Sequence, residues 1–131
     1  MFPRRQFFKS DVTGQNVKDY AEPYLGIPII LAKLCTGATT TTIWSSAAPF
    51  KVRLDWCWSV QKSSNAGSWK FDDGTSDITD TVTAAATDNS IAYPSTIDDA
   101  YNEIDVGGSI RIVHGGPTFS CMVFALLTRI P

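Results

Sequence analysis

The strongest constraint on the fold is the run at residues 50–61, F-K-V-R-L-D-W-C-W-S-V-Q. Phe50, Val52, Leu54, Trp56, Trp58 and Val60 take every second position there. Lys51, Arg53, Asp55, Cys57, Ser59 and Gln61 fill the places between. Successive side chains of a β-strand point to opposite faces, so this period of two gathers six apolar groups on one side. A helix would scatter them around its axis. The pattern predicts a long strand with Trp56 and Trp58 turned into a core, and an all-β fold around it.

The neighbouring segments agree with that class. Residues 29–35 form an apolar run, and residues 39–44 are a β-branched segment after the turn at Gly37. S-S-N-A-G at 63–67 is a turn. Residues 68–72 then return with Trp69 and Phe71 on one face, predicting a hairpin with 50–61. Short strands are expected at 78–82, 90–93, 109–114 and 121–130. Ile97, Ala100, Tyr101 and Ile104 fall at helical spacing, so a short helical turn is expected over 97–104, capped by Thr96 with Asp98 and Asp99 in its first turn. The last strand, C-M-V-F-A-L-L-T-R-I, is apolar on both faces and needs cover on both sides. About eight strands at spacings near ten residues predict an antiparallel β-sandwich of jelly-roll type over 29–131.

Residues 1–28 differ from the rest. They hold Pro3, Pro23 and Pro28 and five aromatics (Phe2, Phe7, Phe8, Tyr20, Tyr24) without periodicity. Disordered tails are poor in aromatics, so this segment reads as an extended arm that anchors on another subunit. Charge is unevenly placed. Arg4, Arg5 and Lys9 lie in an acid-free start, whereas nine acids and no Lys or Arg occupy 72–105. Three basic residues make a weak footprint for nucleic acid, and no nucleic-acid partner is expected. The first residues lack a signal peptide's apolar core, and the apolar stretch at 25–34 is too short to span a bilayer. No membrane association is therefore expected.

No catalytic constellation emerges. Asp98, Asp99 and Glu103 lie on one turn and cannot flank a sugar as a carboxylate pair must. The D-D-G-T-S-D loop at 72–77 carries carboxylates around a glycine but lacks EF-hand spacing. His114 is the sole histidine, and Cys35, Cys57 and Cys121 form no close ligand set, which argues against zinc. The cysteines are expected to be reduced and buried. No cofactor is expected, and the chain does not read as an enzyme.

The segment F-K-V-R-L-D-W-C-W-S-V-Q, followed by S-W-K-F-D-D-G-T and S-D-I-T-D-T-V, resembles the body of small head proteins of tailed bacteriophages. S-T-I-D-D-A-Y-N-E-I-D-V-G-G-S-I-R-I-V and the closing M-V-F-A-L-L-T-R-I look like the C-terminal half of the same group. These are capsid decoration (cement) proteins, and the similarity spans roughly residues 50–131. It implies a non-enzymatic β-sandwich, often a homotrimer. Such a protein would be assembled in the host cytoplasm and clamp neighbouring copies of the major capsid protein on the virion's outer surface. Under that expectation Phe2, Arg4, Arg5, Phe7 and Phe8 are capsid contacts, and Met122, Phe124, Leu126 and Ile130 form a subunit interface. The opposite face of the last strand (Cys121, Val123, Ala125, Leu127) is an equal candidate for pairing. The rival reading is a carbohydrate- or receptor-binding jelly roll of a fibre or spike, with Trp44, Trp69 and Tyr101 as glycan contacts.

Overall fold

The computed structural model describes residues 28–44 and 47–131. The expected arm, with Phe2, Arg4, Arg5, Phe7 and Phe8, lies outside them. The described chain is all-β: β1 (Pro28–Thr36), β2 (Thr39–Trp44), β3 (Val52–Gln61), β4 (Gly67–Asp72), β5 (Val82–Ala84), β6 (Ile91–Ala92), β7 (Glu103–Ile104), β8 (Ile110–Gly115) and β9 (Ser120–Arg129). They form two antiparallel sheets. Sheet A has the order β1-β9-β3-β6, with β7 also on β3, and sheet B the order β2-β8-β4-β5.

The pairing is nested. β4 pairs with β5, β3 with β6, β2 with β8 and β1 with β9. The chain therefore doubles back once, around residues 73–81, and runs antiparallel to itself from there to both ends. Successive pairs alternate between the sheets, and contacts between β9 and β3 and between β8 and β4 complete each one. The expected hairpin of 68–72 with 50–61 does not form. The 63–67 turn instead carries the chain from sheet A to sheet B, where β4 finds β8 and β5. That crossing lets Trp69 and Phe71 face β3 across the core instead of lying beside it.

The core joins both sheets. Val52, Leu54, Cys57, Val123, Ala125 and Leu127 of sheet A meet Trp69, Phe71, Ile110 and Ile112 of sheet B. The fully buried indole of Trp69 donates from Nε1 to Ser59 Oγ at 2.9 Å, so its polar atom is satisfied across the interior. Asp72 is held bidentately by Arg111 at 2.7 and 2.8 Å on the neighbouring strand.

Two expected elements are replaced. The strand foreseen at 78–82 is reduced to a single bridge, Thr79 to Ile97, and the regular pairing begins only at Val82. The helical turn foreseen over 97–104 is absent. One hydrogen-bonded turn closes from Tyr101 N–H to Asp98 O at 3.1 Å, and Glu103–Ile104 then pairs with Val52 and Arg53 as β7. Two turns of isolated helix are marginal. Burying Ile104 against β3 is the larger gain.

Gly67 sits where β4 passes under Phe119. A Cβ there would meet the Phe119 ring at 2.3 Å and the Gly115 carbonyl oxygen at 2.6 Å. Backbone cannot yield as a flexible side chain can. Gly67→Ala is expected to lower stability by about 1–3 kcal/mol, read from the midpoint of urea unfolding.

Asp80 ties the loop before Ile97 to sheet B. Its carboxylate accepts from the Thr96 amide at 3.0 Å and the Ser95 amide at 3.3 Å. The Thr96 bond chiefly holds its pKa below the usual carboxylate value of 3.8. A folded-state pKa below the unfolded one gives stability that is present above pH 3.8 and lost as pH falls through the folded value. In Asp80→Asn, the urea midpoint should fall less than in the parent between neutral pH and that acid range.

Candidate functional site

The feature that sets the surface is one extra residue in β3. Leu54 lies opposite Leu127 and Trp56 opposite Leu126, so Asp55 is inserted between them as a β-bulge. The bulge is fixed from three sides. The Leu54 amide donates to the Asn102 carbonyl at 2.8 Å, and Asn102 Nδ2 donates back to the Leu54 carbonyl at 3.3 Å. The Asp55 carboxylate takes the Arg53 Nε–H at 2.6 Å and the Thr128 hydroxyl from β9.

A single inserted residue reverses the side-chain alternation beyond it. Val52 and Leu54 face the core as the period of two predicts, but Cys57, Ser59 and Gln61 then turn inward and are buried. Trp56, Trp58 and Val60 turn outward. The expectation that both tryptophans fill the core is overturned at this bulge. No local pattern marks the bulge, because the period of two runs unbroken from Phe50 to Val60; the residues that it turns inward are Cys57, Ser59 and Gln61. These three suit an interior already occupied by Trp69.

The outward residues do not stand alone. On β9, Cys121, Val123, Ala125 and Leu127 line the core and Met122, Phe124 and Leu126 lie on the outer side, half-buried. This decides which face of the last strand is free. Trp58 stacks on Phe124 with centroids 5.1 Å apart and planes 8° off parallel, a contact worth about 0.5–1.5 kcal/mol beyond its area. Trp56 leans on Tyr93 at 5.8 Å. By register, Ile30 and Leu34 of β1 flank Leu126 and Met122, while Ile91 of β6 lies beside Val60. The outer side of sheet A is thus apolar from one edge to the other. Its two margins are the most open, with Ile30 62% and Leu34 54% exposed on one side and Ile91 66% and Tyr93 62% on the other.

Charge stops at one end of this face. There Arg53 pairs with Asp55 at 2.6 Å, and Lys51 lies 3.6 Å from Glu103 and 3.9 Å from Asp105. Ile130 lies past the end of β9, with the Thr128–Asp55 group between it and Leu126. It does not join the other three expected interface residues. Its backbone instead donates to the Lys51 carbonyl at 3.0 Å.

The remaining candidates are dispersed. Trp69 is fully buried and has no surface to offer a sugar. Trp44 packs edge-on against Phe50 at 6.1 Å, and Tyr101 is 43% exposed on a separate loop. The carboxylates of the 72–77 loop serve three different partners. Asp72 takes Arg111, Asp77 takes Lys70 at 2.9 Å, and Asp73 caps the Thr75 and Ser76 amides at 2.9 and 2.6 Å. Asp98 caps the Ala100 amide at 2.9 Å. Among the described residues no group of three or more His, Cys, Asp or Glu side chains gathers to hold a metal ion. All three cysteines are buried and free, as their placement in strands predicts.

No protein family, curated protein or solved structure matches this chain. The outer face of sheet A is the surface on which a function can be argued.

Removing Asp55 would take out the extra residue and make the ladder regular, with Leu54 still facing the core and Trp56 and Trp58 still facing outward. The deletion is expected to keep a single cooperative urea transition. Asp55→Ala keeps the residue count and should cost only about 1 kcal/mol. Loss of the cooperative transition in the deletion variant but not in Asp55→Ala would show that the extra residue itself is needed to hold Trp56 and Trp58 on the outer side.

Proposed function

We propose that this chain is a structural virion protein that decorates and stabilises a phage capsid. Its two sheets form a jelly-roll β-sandwich, and the outer face of sheet A is its subunit interface. The nested pairing supports the architecture, because a jelly roll is one long antiparallel hairpin rolled so that successive pairs alternate between two sheets. Viral capsid and lectin domains share this form. Architecture does not select between them, so the choice rests on the surface.

The carrying observation is the uncharged, apolar outer face of sheet A. A sheet with one face in water reads apolar-in and polar-out. Here β9 and the second half of β3 are apolar outward as well, and contiguous exposed patches of this kind mark interaction surfaces. The occupant is a further copy of this chain. The centre of the face carries no charge that would select an oppositely charged partner; the charges at its Arg53 end are paired within the chain, and at the other end the exposed Lys62 follows β3. Its openness lies at the two margins. That suits a head-to-tail ring in which Ile30 and Leu34 of one subunit meet Ile91 and Tyr93 of the next. A homotrimer is the closed form that the resemblance to decoration proteins implies. The same resemblance assigns residues 1–28, with Phe2, Arg4, Arg5, Phe7 and Phe8, to the major capsid protein and sets the protein on the virion's outer surface. No catalytic role or cofactor is part of this reading.

Light scattering on the purified chain should give about three times the 14.3 kDa chain mass. Leu34→Glu with Ile91→Glu should yield folded monomers by circular dichroism. Added to undecorated phage heads, the parent should bind saturably and the double variant only weakly. A parent that is monomeric and does not bind heads would overturn the proposal. A trimer that ignores heads but binds a glycan array would keep the interface and move the function to the fibre or spike class.

A further inference from the structure

A second feature lies at the buried end of the molecule, where β1 turns into β2, and is independent of the proposed function. Cys35 of β1 and Cys121 of β9 are direct cross-strand partners, and both are fully buried. Two residues further along the same ladder, the Gly37 amide bonds the Phe119 carbonyl at 2.8 Å. Cys35 and Cys121 therefore occupy a hydrogen-bonded pair site, where Cα atoms stand about 5.5 Å apart. Disulfides span about 4.4–6.8 Å between Cα atoms. The Cys121 thiol and the Thr41 hydroxyl are the neighbours that lower the Cys35 pKa, Cys121 foremost, and Cys35 Sγ lies 3.9 Å from the Lys33 carbonyl oxygen.

Thr41 is linked onward. Its Oγ1 lies 2.8 Å from His114 Nε2, and His114 Nδ1 lies 2.7 Å from the Gly37 carbonyl oxygen. A carbonyl only accepts, so Nδ1 carries the proton and the lone pair on Nε2 accepts from Thr41. Thr41 then has a lone pair free to take a proton released by Cys35, whose S–H otherwise points to the Lys33 carbonyl oxygen. The Cys35–Cys121 pair thus lies beside the Thr41–His114 pair. This is a route by which Cys35 can lose a proton without exposing a charge to apolar surroundings alone. Cys57 offers a contrast within the same core, since burial, followed by the charge of Asp80, pushes its thiol up to about 12. Only one of the three thiol environments thus joins a second thiol to a proton acceptor.

We propose that Cys35 and Cys121 are a peroxide-closed dithiol. Cys35 is the attacking sulfur, Cys121 the resolving one, and Thr41 and His114 position and receive the proton. The Cys35 S–H proton moves to Thr41 as the Thr41 proton moves to His114 Nε2. The thiolate attacks one oxygen of hydrogen peroxide, the O–O bond breaks, and sulfenic acid forms. The departing hydroxide takes the imidazolium proton and leaves as water. Cys121 sulfur then attacks Cys35 sulfur, the S–O bond breaks, and hydroxide leaves with the Cys121 proton as a second water. Two thiols are oxidised to one disulfide while one peroxide is reduced to two waters. Access comes through β1, which among the described residues is an edge strand paired with β9 alone. The finished bond fastens that strand and the chain preceding it to the centre of sheet A.

The full-length folded protein is treated with hydrogen peroxide, quenched, denatured and alkylated. The parent should lose two hydrogens in intact mass, keep one alkylatable thiol at Cys57, and yield a tryptic peptide joining Cys35 to Cys121. Cys121→Ser should instead accumulate a dimedone-trapped sulfenic acid on Cys35. Thr41→Val, with its urea midpoint compared beside the parent, should slow closure on the order of a hundred-fold, the low end of what a positioned proton acceptor contributes. Three alkylatable thiols remaining in the treated parent would overturn the proposal. So would a bond made to Cys57 or between chains. Closure in Thr41→Val at the parent's rate would remove Thr41 and His114 from it.

Discussion

Everything distinctive about this molecule depends on the bulge at Asp55. If β3 ran without a bulge, strict alternation would put Val52, Leu54, Trp56, Trp58 and Val60 on its inner face and leave the outer one polar. With it, the strand changes sides in mid-course. Val52 and Leu54 fill the core at one end, and at the other Trp56, Trp58 and Val60 leave it. The inner positions they vacate pass to Cys57, Ser59 and Gln61. Two consequences follow together. The core gains a hydroxyl, Ser59, aimed at the one buried indole, and the outer face gains the aromatic pair Trp58–Phe124. An inserted residue costs a ladder hydrogen bond, and here Asn102 replaces it on both sides of Leu54. The loop that reads as a helix in the sequence thus serves as the brace for the bulge.

How far the sequence could be read follows from the same residue. The β class, the two-sided apolar β9, the turn at 63–67 and the burial of all three cysteines are legible because they rest on local composition and a period of two. The side on which Trp56 and Trp58 fall is not legible. Alternation predicts a face only while register is unbroken, and register is broken by a partner, Asn102, that lies more than forty residues away. The 97–104 segment fails for a related reason: its spacing fits a helix, but Glu103 and Ile104 gain more from pairing with β3. The choice of interface face on β9 was open from sequence, since both faces are apolar. Only the identity of the core across it, Trp69 and Phe71 on a crossing sheet, decides that Met122, Phe124 and Leu126 are the outer set. Trp69 reverses the glycan expectation by the same logic.

The nested pairing also orders the events that build the outer face. β4 with β5 closes over few residues, whereas β1 with β9 joins the two ends of the described chain. The entropy cost of closure rises with the length closed, and long-range pairings form after the contacts that shorten them. By closure length, β1 is the strand expected to dock last. Among the described residues it is an edge strand, it bears Ile30 and Leu34 at the most open margin, and the aromatic residues of the sequence before Pro28 precede it. Until it docks, β9 presents an unpaired, two-sided apolar edge, the form of strand that natural sheets avoid exposing. Completion of the face and protection of β9 are thus a single step. Any contact that holds β1 in place, whether a neighbouring subunit across Ile30 and Leu34 or a covalent tie at Cys35, acts on that step and on no other part of the sheet.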